Sequence, residues 1–165
     1  MGELNGARRN LTVRFDDGIC RMRIDRPDTG NAIDARLVDE MDSVLDEYEA
    51  SARIVVIEGL PDTFCVGADF MQLDARFTAS KSLKAPDPAP LYDLWTRLAM
   101  GPYVSIAHVQ GRANAGGVGF VAACDVVVAA QTSSFSLSEL LFGLMPACVL
   151  PFLVRRVGFA RAHYL

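Results

Sequence analysis

Apolar and polar side chains alternate twice near the start of the chain. Residues 11–15 form one alternating run and residues 20–24 form a second. Asp16-Asp17-Gly18 lies between the two runs and has the residue types of a tight turn. The pattern predicts a β-hairpin whose register is set by one buried face.

Helical spacing replaces this alternation after Pro27 and the Gly30-Asn31 break. Asp34 is placed to cap a helix. Apolar side chains then recur every three or four residues, at Leu37, Val38, Met41, Val44, Leu45 and Tyr48. The other face of this helix is mostly acidic. A second apolar stripe at helical spacing consists of Leu91, Leu94, Trp95 and Leu98.

Three short apolar runs predict buried strands, at residues 54–57, 103–109 and 125–130. Glycine-bearing segments, residues 61–69 and 111–117, lead from the first two runs into helices. This alternation predicts an α/β fold with a largely parallel core, in which ligands bind at the carboxyl ends of the strands.

A stretch rich in proline and small residues, TASKSLKAPDPAP, occupies residues 78–90. Its composition predicts a mobile lid or a disordered loop. Lys81 and Lys84 in this stretch would either be solvated or contact the phosphate groups of a pantetheine or nucleotide arm.

Composition narrows the classes of function. The chain has 165 residues, 51% of them apolar, which is enough for one domain with its own core. The net charge is −4 and no basic stripe is present, so nucleic acid is not expected as a partner. The four cysteines form no CxxC pair and are expected to be reduced core thiols, without a metal site. The sequence has no signal core and no run of about 20 apolar residues, which predicts a cytoplasmic protein without a membrane span.

The two glycine-bearing segments carry the candidate chemistry. Each places backbone N–H groups at the start of a helix, where the unpaired donors favour a negative oxygen. Ala68 and Gly116 would each donate one N–H. Two such donors aimed at one carbonyl oxygen would form an oxyanion hole that stabilises an enolate or a tetrahedral oxyanion.

Four segments in order resemble the crotonase (enoyl-CoA hydratase) superfamily: RPDTGNAID (26–34), FCVGADF (64–70), GRANAGGVGFVAACD (111–125) and FSLSELLFGLMP (135–146). The resemblance covers nearly the whole chain and implies a spiral of ββα units that binds acyl thioesters. It also implies that the N–H groups of Ala68 and Gly116 form the oxyanion hole. The neighbouring Gly67, Asp69 and Gly117 are then expected to bind substrate, although helix capping is the alternative role for Asp69.

Hydratases of this superfamily use two catalytic glutamates, and this chain matches only the later one. Glu139 in SELLFG is that match, and it is the predicted catalytic acid/base. The earlier position holds Gly119, which has no side chain to hold a proton. The absence of a second carboxylate leaves two interpretations open: Gly119 gives room to a branched substrate, or it permits close helix packing.

The segment from Ser138 to Ala162 further resembles the crotonase-type dehydratases of polyketide β-branching. Ala147-Cys148-Val149-Leu150 gives a bulkier, more apolar wall than the glycine-rich region of common hydratases. The resemblance implies loss of water from a 3-hydroxy-3-methylglutaryl group to give a 3-methylglutaconyl group. The acyl group would be carried on the phosphopantetheine of an acyl carrier protein or on CoA, with no other cofactor.

Other functions stay open at this stage. A double-bond isomerase of the same superfamily also needs only the later glutamate, and a decarboxylase of the same pathway is a further alternative. A non-catalytic crotonase-like binding or assembly protein represents another class. Retention of Glu139 and of both oxyanion residues favours an enzyme over that last alternative.

Crotonase-superfamily members continue through further helices that cover the acyl site and build trimers, whereas this chain stops at Leu165. We therefore expect residues 1–165 to form a single crotonase-like domain, shortened at its C-terminus and lacking the usual C-terminal helical region. Homo-oligomerisation, as a trimer, is implied by the family alone.

Shortening should expose an apolar patch, so the 165-residue form is predicted to self-associate or aggregate. Light scattering at high protein concentration tests this expectation. A sharp monomer peak would contradict it.

Overall fold

The computed structural model describes residues 9–68, 87–143 and 145–164. The predicted hairpin is confirmed: β1 (Leu11–Asp16) pairs antiparallel with β2 (Ile19–Ile24), and Asp16 lies opposite Ile19. Asp17 and Gly18 form the connection with φ of 44° and 74°. A two-residue hairpin of this kind needs positive φ at both positions, which an Asp-Gly pair supplies.

The hairpin continues into a five-stranded sheet. Its other strands are β3 (Ile54–Glu58), β5 (Val104–Val109) and β7 (Val126–Ala129). The strand order is β1-β2-β3-β5-β7, and every pairing after the hairpin is parallel. The three strands predicted from apolar runs therefore lie side by side, as a parallel core requires.

A second, smaller sheet was not predicted. It consists of β4 (Thr63–Cys65), β6 (Arg112–Asn114) and β8 (Ser134–Ser136), paired in that order and all parallel. Each successive turn of the chain gives one strand to the large sheet and the next to the small one. This repeated pattern confirms the expected spiral of crotonase type.

Five helices complete the described part of the chain: α1 (Ala35–Tyr48), α2 (Ala89–Met100), α3 (Gly116–Ala123), α4 (Leu150–Val157) and α5 (Phe159–Tyr164). Short 3-10 turns lie at Pro27–Thr29 and Glu139–Phe142. Asp34 caps α1 as predicted, since its carboxylate accepts from the Leu37 N–H at 2.8 Å. Arg97 of α2 is ion-paired with Asp42 and Asp46 of α1, at 3.0 and 2.9 Å.

Two predictions are adjusted by the structure. The strand in residues 125–130 was predicted to be buried, but β7 is an edge strand on which the side chains of Val126 and Val128 are 43% and 52% exposed. An apolar run alone cannot show whether both faces of a strand are covered. In the predicted lid, residues 78–86 lie outside the described residues, whereas Ala89 and Pro90 already begin α2.

Among the described residues, no helix is both long and apolar enough to cross a membrane.

Thiol burial leads to a labelling prediction. Cys20, Cys65 and Cys124 are fully buried and Cys148 is partly exposed, and none forms a disulfide. Burial raises the pKa values of Cys65 and Cys124 to about 12, which keeps both as unreactive thiols. A thiol reagent at mildly alkaline pH should therefore modify Cys148 first, with peptide mass spectrometry identifying the site. Labelling of Cys65 in the folded protein before Cys148 would contradict the described packing.

Candidate active site

The first glycine-bearing loop follows β3 and contains β4. Its far end is held by a parallel bridge between Ile33 and Ala68, in which the Ile33 N–H donates to the Gly67 carbonyl at 2.7 Å. That bond does not use the N–H of Ala68. The loop also rests on Asn31, which is fully buried and whose side-chain amide donates to the carbonyl of Phe64 at 3.0 Å.

The second loop follows β5 and turns from β6 into α3. Ala115 makes the turn with φ 49° and ψ −120°, a conformation in which a residue with a Cβ is strained. The N–H of Ala115 is held by the Ser136 carbonyl at 2.9 Å. Gly116 is the first residue of α3, so its N–H has no acceptor within the helix.

The two loops touch at their glycines. A Cβ added to Gly67 would lie 3.0 Å from the Gly116 nitrogen and 2.7 Å from the Ala115 Cβ. A Cβ on Gly117 would lie 2.3 Å from the carbonyl oxygen of Cys65. Glycine is therefore required for this approach, which brings the peptides around Ala68 and Gly116 into one place.

Asn114 joins both loops to the segment that carries Glu139. Its Nδ2 donates to the Ser138 Oγ at 2.8 Å and also lies 3.3 Å from the Val66 carbonyl oxygen. Its Oδ1 accepts from the Ser136 hydroxyl at 2.8 Å. One side chain thus fixes the residue directly before Glu139 relative to the first loop.

Glu139 opens the 3-10 turn that follows β8. Its Oε2 atom is buried and has no hydrogen-bond partner in the described part of the chain. Burial raises the pKa of this carboxyl above its ordinary value, against a smaller opposing effect of its own backbone N–H. A half-buried carboxyl with a free oxygen and a raised pKa has the properties of a general acid/base.

The space beside Gly119 is filled by the indole of Trp95. A Cβ on Gly119 would lie 2.3 Å from Cζ2 and 2.5 Å from Cη2 of that ring. Of the two interpretations of Gly119, the geometry supports close helix packing, because the ring lies where the Cβ of any larger residue would be. A direct contact between Gly119 and substrate stays a prediction.

The structure therefore brings Gly67, Ala68, Gly116 and Gly117 together and ties their loops to the Glu139 segment. Asp69 lies outside the described residues. The sequence does not reveal the role of Asn114, since a lone amide in a loop shows no partners until β4, β6 and β8 are aligned. Trp95 was predicted only as a member of the apolar stripe of α2.

A further pair of titratable groups lies away from these loops. The parallel register of β3 and β5 places Glu58 opposite His108, with the His108 Nδ1 3.2 Å from the Glu58 carboxylate. Both residues line a shallow cleft with Arg23, Gly59, Pro61 and Gln110. No predicted site residue lines this cleft.

Comparison with known proteins shows the family of this chain. The profile of the enoyl-CoA hydratase/isomerase family matches residues 14–165. The chain is 51% identical over 156 residues to the bacillaene synthase dehydratase PksH of Bacillus subtilis, a match that covers 94% of this chain and 60% of that protein. It is 33% identical over 148 residues to the enoyl-CoA hydratase ACTT6 of Alternaria alternata, covering 88% of this chain and 48% of the relative.

Solved structures show the same fold. The crystal structure of the polyketide biosynthesis enoyl-CoA hydratase PksH from Bacillus subtilis matches with a TM-score of 0.90 and 51% identity, over 94% of this chain and 62% of that one. AtuE of Pseudomonas aeruginosa matches with a TM-score of 0.87 and 29% identity, over 94% and 61%. The chain thus spans about half to three-fifths of the length of the curated relatives described here.

The contacts of Asn114 lead to a prediction. Asn114→Ala should lower the free energy of unfolding by about 1–3 kcal/mol, because it leaves partly buried hydroxyl and carbonyl groups unpaired. It should also lower any activity that depends on Glu139, since Ser138 loses its partner. Denaturant unfolding gives the stability change.

Gln110→Ala removes an exposed polar side chain four residues earlier and is the matched control, with an expected change within about 0.5 kcal/mol. Equal unfolding midpoints for Asn114→Ala and Gln110→Ala would contradict the bridging role.

Proposed function

Because the chain belongs to the enoyl-CoA hydratase/isomerase family, we propose that it removes water from a 3-hydroxy-3-methylglutaryl thioester to give a 3-methylglutaconyl thioester. One structural observation carries the proposal: Glu139 offers a buried, unpaired carboxylate oxygen, while position 119 holds no carboxylate. Similarity to PksH, named a dehydratase, supports loss of water rather than its addition.

The backbone N–H groups of Ala68 and Gly116 supply the electrostatic part of the mechanism. In the proposed reaction, Ala68 and Gly116 donate to the thioester oxygen, where negative charge develops as the enolate forms. Removal of a single oxyanion donor typically costs on the order of 10²–10³ in rate. Both N–H groups are held by loops whose backbone contacts exist before substrate binds, so little reorganisation is needed.

Glu139 supplies both proton transfers. Its carboxylate takes the proton from C2, and the electron pair of that bond forms the enolate. The enolate then collapses to a C2–C3 double bond as the C3–O bond breaks, and the leaving hydroxide takes the proton back from Glu139. Water and the unsaturated thioester leave, and Glu139 is again a carboxylate, so no second acid/base is required.

Burial of Glu139 suits this double role. A raised pKa makes the carboxylate a stronger base toward C2 than an exposed glutamate is. The protonated carboxyl is still a far stronger acid than water, so it returns its proton to a leaving hydroxide. A carboxyl in water would hold that proton less firmly at neutral pH.

The carrier of the acyl group follows from similarity alone. The description of PksH as a polyketide biosynthesis protein supports the phosphopantetheine of an acyl carrier protein, and relatives named as enoyl-CoA hydratases support CoA. We propose the carrier protein as partner, with no other cofactor, no metal and no nucleic acid. Gly67, Asp69 and Gly117 remain proposed substrate-binding positions, and a homotrimer in the cytoplasm remains the expected state.

Replacement of the carboxylate tests the proposal. Glu139→Gln keeps the size of the side chain but cannot take a proton, so dehydration should fall by about 10²–10⁴-fold. Intact-mass spectrometry of a loaded carrier protein follows the loss of one water.

The pH dependence of the rate gives a further prediction. Because Glu139 must be ionised to act and its pKa is raised, the acid limb of the pH profile of kcat/KM should lie above the ordinary glutamate pKa of about 4.3.

Asp93→Asn alters an exposed carboxylate of α2 and is the control, expected to leave the rate unchanged. Full dehydration by a folded Glu139→Gln variant would refute the role of Glu139. Loss of carbon dioxide, or a shifted double bond at unchanged mass, would replace the dehydratase with a decarboxylase or an isomerase.

A further inference from the structure

Two buried side-chain atoms stand out in the described part of the chain. Among the described side chains, two buried polar atoms have no hydrogen-bond partner: the Oε2 oxygen of Glu139 and the Nε1 nitrogen of Trp95. The first belongs to the proposed acid/base. The second is a donor that the mechanism above does not use.

Trp95 lies against α3, the helix that follows the second glycine-bearing loop. Its Cζ2 atom is 2.3 Å from the Cβ position of Gly119 and 3.7 Å from that of Gly116. The ring also packs edge-on against Phe120 and Phe152, with centroids 5.9 Å apart in each case. The indole therefore occupies the side of α3 from which a glutamate at position 119 would project.

An unpaired indole N–H at this depth is costly. Trp95 is 1% exposed, so water does not reach the N–H freely. A buried donor without an acceptor destabilises a protein by about 1–3 kcal/mol, and buried tryptophans ordinarily find a partner. Groups of this kind are accounted for when a ligand supplies the missing acceptor.

We propose that Trp95 is a substrate-contacting residue that takes the place of the missing second carboxylate. Its Nε1–H donates to the oxygen on C3 of the acyl group and stabilises that oxygen as the C3–O bond breaks. This inference rests on the proposed dehydration. A neutral donor fits the step, because Glu139 already supplies the proton and the leaving oxygen needs only a hydrogen bond.

The thioester oxygen and the distal carboxylate are less suited to this donor. The thioester oxygen is assigned to the N–H groups of Ala68 and Gly116. An ionised carboxylate beside an indole and two phenyl rings would need a cationic partner to offset its desolvation. The 3-hydroxyl is neutral before the reaction and becomes negative only as it leaves.

The test separates loss of water from removal of the C2 proton. Trp95→Phe keeps an aromatic ring and removes the N–H. On 3-hydroxy-3-methylglutaryl carrier protein, dehydration should fall about 10- to 100-fold, chiefly in kcat. On 3-methylglutaryl carrier protein, which lacks the hydroxyl, exchange of the C2 protons with deuterium from solvent should stay within about twofold, because that step does not involve the 3-oxygen.

Phe152→Leu is the packing control, because it loosens the contact with the Trp95 ring but keeps the N–H. It should alter dehydration and exchange by the same factor. If Trp95→Phe also lowers both by the same factor, or lowers neither, the proposal is wrong. If the native protein exchanges C2 protons but never loses water, the proposed dehydration fails first, and that result is seen without any variant.

A second measurement does not depend on the folding of Trp95→Phe. Trp95 is the single tryptophan of the chain, so its indole gives one assignable N–H resonance. In Glu139→Gln, which should turn over substrate only slowly, this proton should move downfield with the 3-hydroxy acyl group and keep its position with 3-methylglutaryl. The same position with both ligands would overturn the proposal.

Discussion

Close contact between two backbone loops is the constraint on which the rest of this structure depends. The loop after β3 and the loop after β5 approach so closely that a Cβ on Gly67 or Gly117 would overlap its neighbours. Parallel pairing of β4 with β6 holds the loops at this distance. The strained turn at Ala115 then directs the chain into α3, so the first N–H of that helix lies beside the first loop.

The third turn of the spiral adds Glu139 by the same means. Strand β8 pairs with β6, and Asn114 holds the hydroxyl of Ser138 at the end of that pairing. The acid/base segment is therefore positioned by a short sheet and one amide rather than by the large core. A site built from three chain turns needs each pairing in register, since a shift of one residue would reverse the faces of the strand.

The large elements could be predicted from the sequence because their hydrophobic patterns extend over many residues. The hairpin and α1 each show an apolar period over several residues, and the other strands of the large sheet are mostly apolar runs. The small sheet has strands of three residues, which are too short to carry a period, and its pairing joins positions about 20 to 50 residues apart. The exposure of β7 was not predicted either, because the hydrophobicity of a strand does not show whether another element covers each of its faces.

The residues of the candidate site also fall into those that the sequence could predict and those that it could not. Glu139, Ala68 and Gly116 could be proposed from motifs, because each lies in a segment with a family-like pattern. Asn114 and Trp95 could not, because their importance comes from partners far along the chain. The unpaired indole nitrogen in particular is a property of packing that no local pattern of residues encodes.

The contact between Trp95 and Gly119 also restricts how such a protein can change by mutation. A carboxylate at position 119 would collide with the indole, so Gly119→Glu alone would displace the ring. Loss of the ring while glycine remains would leave a cavity, and removal of a buried tryptophan costs about 3–5 kcal/mol. Replacement of either Gly119 or Trp95 alone is therefore destabilising, because the other residue is shaped to fit its present partner. An evolutionary route between a one-carboxylate and a two-carboxylate enzyme on this fold must change both positions together or pass through a less stable ancestor.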